Sequence, residues 1–134
     1  MGSWGYRTFE DDTALDWIGE FQQDPSLAAV EEAIEAALGG DFVDDLAGAQ
    51  ALAAAEVVAA LHGHPSDLLH EPVARWAADQ SPPDAGLLQR AAQAVTAVFQ
   101  ESELREIWED ADGLDPWQEA IDELRSRLGS PSGR

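Results

Sequence analysis

Three histidines are the first residues to consider for chemistry. His62 and His64 are separated by one residue, and His70 follows. Two imidazoles this close can hold a zinc ion when a carboxylate joins them. Asp67 and Glu71 are near in sequence, so His62, His64 and Glu71 form a candidate metal set. The plainer alternative is that His62 closes a helix, where a partly positive imidazole is favourable, and His64 lies in the following loop. A second set is Asp110, Asp112, Gly113 and Glu119, at positions three, five, six and twelve of a calcium loop. Its first ligand would be Trp108, which cannot ligate, and Pro116 fills position nine. A helix end followed by a helix start explains the same residues. Asp11-Asp12 and Asp44-Asp45 are paired carboxylates suited to acid–base work. They also stand where helices should begin, and acids are favourable there without any activity. No Ser-His-Asp order, phosphate loop or dinucleotide fingerprint is present. The expectation is therefore no cofactor and no enzyme. A small metal-dependent enzyme using His62, His64 and nearby carboxylates is the alternative.

These residues hang on one central element. Leu46–Leu61 reads LAGAQALAAAEVVAAL, with Gln50 and Glu56 its only polar residues. Alanine is the best helix former. On a helical wheel Leu46, Val57, Leu61 and Val58 cover one half and Leu52 the other, leaving no polar stripe. A helix apolar all round is buried, and this one is shorter than the ~20 residues that span a bilayer. It predicts a central helix over residues 44–62, with small side chains that admit close neighbours. Glu56 then has no polar face to reach, and a buried carboxylate needs partners. The N-terminal loop is the expected donor. Its backbone N–H groups, the Trp4 indole and Arg7 would clamp it over Glu56. A catalytic carboxylate beneath the loop is the competing role.

Other helices follow from spacing and caps. Residues 1–10 form a loop pinned by Trp4, Tyr6 and Phe9. Asp12 or Thr13 caps a helix with Leu15, Ile18 and Phe21 inward. Asp24 and Pro25 start a second, burying Leu27, Val30, Ile34 and Leu38. Its outer residues Glu31, Glu32 and Glu35 are candidate partner-binding acids. A fourth helix runs to Gln80 and can break at Pro72. A fifth carries Leu87 to Phe99, and Ser102 caps a sixth with Leu104, Ile107 and Trp108. Asp115-Pro116 opens the last, which buries Trp117, Ile121, Leu124 and Leu128. Arg125 and Arg127 lie at its negative end. The fold class is all-α: a single compact bundle of about six to seven short helices over residues 1–129, with residues 130–134 a flexible tail.

Charge narrows the partners. The 134 residues hold 27 acids against 7 arginines and no lysine, a net charge of -20. Direct contact with nucleic-acid phosphate needs a basic face, and an anionic membrane repels such a chain. A basic protein partner is favoured, in the manner of an immunity protein or inhibitor. Solubility alone is the bland explanation of the charge, and a nucleic-acid mimic is a further alternative. There is no cysteine, so thiolate chemistry is excluded. No basic-then-apolar leader is visible and position six is Tyr6, which breaks a myristoylation pattern. The expected location is the cytoplasm. The partner's identity and the oligomeric state are not encoded locally.

Met1-Gly2-Ser3-Trp4-Gly5, the run Phe9 to Trp17 (FEDDTALDW), Ala54 to Leu61 with Gly63, and the tryptophans 108 and 117 form a combination. Together they resemble an uncharacterised bacterial family catalogued as domain of unknown function 4259. That family tends to carry a second glycine where this chain has Arg7. The resemblance implies a small helical bacterial protein and no reaction.

Overall fold

The computed structural model describes residues 5–133. Seven helices follow a 3-10 turn at Thr8–Glu10: α1 (Asp12–Gln23), α2 (Leu27–Leu38), α3 (Asp45–Leu61), α4 (Glu71–Ala78), α5 (Ala85–Gln100), α6 (Glu103–Asp110) and α7 (Leu114–Gly129). The fold is all-α, as the periodicity indicates.

α3 is the axis. It packs against all six other helices and the 3-10 turn. Every residue from Ala51 to Leu61 is buried, including Ala51, Ala53, Ala54, Ala55 and Ala59 with no exposed surface. Alanines on all sides let several backbones come close at once, and the lost contact area is recovered from many neighbours. Gly48 extends the same logic: a methyl group there would meet Leu104 Cδ1 at 3.2 Å. Leu46 departs from the expected burial. It is 56% exposed, on the open side of a first turn whose other side packs against the start of α6.

Caps decide where most helices start. Asp11 accepts from Ala14 N, Asp44 from Ala47 N, Asp84 from Leu87 N and Ser102 from Arg105 N. Three starts differ from the sequence expectation. Asp11, rather than Asp12 or Thr13, caps α1. Ser26, not Asp24, caps α2, so Pro25 lies before the helix. α7 begins after Gly113, which places Asp115 and Pro116 inside the first turn; proline is tolerated there because first-turn N–H groups have no helical acceptor. Pro72 likewise sits in the first turn of α4 and does not break it.

Gly113 is required by close approach. A methyl group on it would meet Trp108 Cε3 at 2.6 Å and Tyr6 Cε1 at 3.1 Å. Tyr6 packs on Trp108 with ring centroids 4.9 Å apart. With Phe9 buried, this pins the described part of the N-terminal loop to the bundle. A parallel bridge, Val43 N to Glu101 O and Glu103 N to Val43 O, ties the approach to α3 against the start of α6.

Candidate functional site

Glu56 lies at mid-helix in α3, 4% exposed. Its charge is met by α7. Arg127 Nη1 stands 2.8 Å from Glu56 Oε1, and Arg127 Nε donates to Glu123 Oε2 at 2.6 Å. Nη1 also donates to the His64 carbonyl at 3.2 Å. One guanidinium thus links a buried carboxylate, a surface carboxylate and the chain beyond α3. The contact to Oε1 is an ion pair without hydrogen-bond alignment. Burial works against the Arg127 charge, but the hydrogen bond to Glu123 and the ion pair with Glu56 outweigh it and raise its pKa. Arg127 therefore stays charged at neutral pH.

The expected clamp is corrected in one part. Arg7 does not reach Glu56: its guanidinium bonds to Asp67 and to Ser66 Oγ at 3.2 Å. Trp4 lies outside the described residues. Among the described residues no hydrogen bond runs from 5–9 to Glu56. Arg127 takes that place because the last turn of α7 passes beside the middle of α3, a relation no local spacing encodes. Arg7 instead staples the loop to the connector between α3 and α4. Glu56 does line a cleft of about 370 Å³ beneath Tyr6 and Arg7, together with Glu10, Glu119 and Glu123.

Bonding to Arg7 holds the Asp67 carboxyl below its ordinary value of 3.8. A depressed carboxyl adds stability above its unfolded pKa and loses it as pH falls through the folded value. Asp67→Asn should therefore lower the urea midpoint slightly at neutral pH. The gap to wild type should close as the pH drops below that ordinary value. A gap unchanged in acid would show that the ion pair is not its source.

The histidines serve the C-terminal segment. His62 Nε2–H donates to the Ser130 carbonyl at 2.5 Å and His64 Nε2–H to the Pro131 carbonyl at 2.7 Å. Carbonyls only accept, so each Nε2 carries the proton. Gly133 N returns to the His62 carbonyl at 2.9 Å. The segment from 130 to 133, expected as a flexible tail, is hydrogen-bonded against the end of α3. Glu71 faces Arg75 at the start of α4, and His70 meets Gln22. His62, His64 and Glu71 are not brought together as ligands. Among the described residues no three His, Asp or Glu converge to hold a metal. In the calcium-like run, Asp112 takes a left-handed φ of 56°, which Asp tolerates, and Gly113 leads into α7.

The acids on α2 divide. Glu35 pairs with Arg90 at 3.1 Å. Glu31 and Glu32 are exposed, and neither joins an ion pair among the described residues. Every arginine among the described residues is engaged internally: Arg7 with Asp67, Arg75 with Glu71, Arg90 with Glu35, Arg105 with Glu109, Arg125 with Asp122, and Arg127 with Glu56 and Glu123. Leu27 and Leu46, both expected in the core, are exposed, Leu27 because it opens α2 where no helix covers its first position, and the sequence reading passed over the exposed Phe42. Phe42 carried a signal, since it stands between Asp41 and Asp44 outside any helical repeat.

No helix among the described residues is long and apolar enough to cross a membrane. The pattern of the family described as Domain of unknown function (DUF4259) matches residues 2–120, and the chain belongs to that family. No curated protein matches the chain, and no solved structure does.

Proposed function

We propose that this chain is a non-enzymatic binding protein whose acidic surface engages a basic protein partner in the cytoplasm, in the manner of an immunity protein or inhibitor. The observation that supports it is the commitment of all six described arginines to internal ion pairs. Each of these arginines already has a carboxylate of its own chain beside it, so most of the acids have no internal cation among the described residues to offset them. Such a surface steers a cationic partner toward it and repels anionic ones. Phosphate backbones are disfavoured for the same reason.

The test is affinity capture from the native host on immobilised full chain at low salt, followed by elution in a salt gradient. A basic protein that elutes as salt rises, and rebinds when purified, is the expected result. Retention of no protein, or only of neutral or acidic ones, would overturn the reading.

A further inference from the structure

Exposed large apolar residues are few here. Among the described residues they are Tyr6, Leu27, Phe42, Leu46 and Leu68. Tyr6 is spoken for by Trp108. Phe42 and Leu46 stand out because they occur together. Phe42 precedes the Asp44 cap by two residues and Leu46 is in the first turn of α3. Four residues of chain separate them by at most ~14 Å. They are 49% and 56% exposed.

The charged residues beside them in sequence and across the bridge are acids. Asp41, Asp44 and Asp45 alternate with them in sequence and are exposed, as is Glu101. The Val43–Ser102 bridge brings Glu101 and Glu103 alongside, and Glu103 Oε1 accepts from Asp45 N at 3.3 Å. None of these five acids joins an ion pair among the described residues. An exposed apolar pair flanked by unpaired acids has the composition of an interface centre with its polar rim.

We propose that Phe42 and Leu46 are the anchor of the partner-binding surface, and that the occupant is a cationic amphipathic segment of the partner. Its apolar side chains cover Phe42 and Leu46, and its lysines or arginines meet Asp41, Asp44, Asp45, Glu101 and Glu103. The inference rests on the reading of the chain as a binder of a basic protein. Charge chooses among occupants. A second copy of this chain would bring another set of acids against the first, whereas a cationic segment completes both the apolar and the ionic contacts.

The probe is a synthetic peptide with lysine and leucine at helical spacing, beside a control of equal charge with every leucine replaced by serine. Binding is measured at low salt to the full chain and to the double variant F42S/L46S. Both positions are exposed, so the variant should fold, and circular dichroism checks that it does. The leucine peptide should bind the variant about tenfold more weakly, with the serine peptide unchanged. Amide shifts in the wild type should centre on residues 41–46 and 101–103. Equal affinity of the leucine peptide for wild type and variant, or shifts centred elsewhere, would overturn the patch and leave the acidic-binder reading standing. No binding of either peptide would overturn both. Self-association of the wild type that the double variant abolishes would replace the basic segment with a second copy.

Discussion

Arg127→Met should destabilise the fold by about 3 kcal/mol, the largest of the stability effects this structure predicts. The substitution keeps much of the side chain's bulk and removes only its charge and donors. It leaves the Glu56 carboxylate in the middle of α3 with no cation beside it, and the cost is that of an uncompensated buried charge. The His64 carbonyl and Glu123 lose a donor at the same time. The double variant E56Q/R127M should recover part of the loss, because a neutral amide is cheaper to bury than an ionised acid. Urea midpoints for wild type, both single variants and the double variant measure the coupling. Additive losses would show that the two side chains act independently and that the ion pair does not organise the α3–α7 contact.

Ala54→Leu should cost about 2 kcal/mol. Ala54 has no exposed surface, and the helices around α3 are spaced for methyl groups. A leucine there must push a neighbour away or adopt a strained rotamer. Ala28→Leu on the exposed side of α2 serves as the control and should shift stability by less than about 0.5 kcal/mol. A tolerated leucine at 54 would mean that slack, not close packing, surrounds the central helix.

The fold was legible because its signals are local. Alanine content and the lack of a polar stripe mark α3 as the axis, and Asp44 and Ser102 announce their helices as caps. The misplaced starts have local causes too. Asp24 and Ser26 both can cap, and only the path of Pro25 selects between them. Asp115 looks like a cap, but Gly113 can sit against Trp108 and so begins α7 earlier. Long-range pairing was the illegible part. Glu56 required a partner on energetic grounds, which sequence shows, but the choice of Arg127 over Arg7 depends on where α7 docks. The C-terminal segment likewise looked free to fray until the carbonyls of Ser130 and Pro131 met the rings of His62 and His64. Leu46 counted as core by composition, though it lies on the solvent side of the first turn of its helix. The acid surplus was fully legible, whereas the internal commitment of the arginines emerged only from the folded chain.

The central claim is that the acid surplus recognises a partner and does more than keep the chain soluble. Its most direct test is the rate at which the captured basic protein, once purified, associates with the full chain as ionic strength rises. Steering by the acidic surface predicts a rate that falls at least about tenfold between low and physiological salt. A rate that does not change with salt would contradict it.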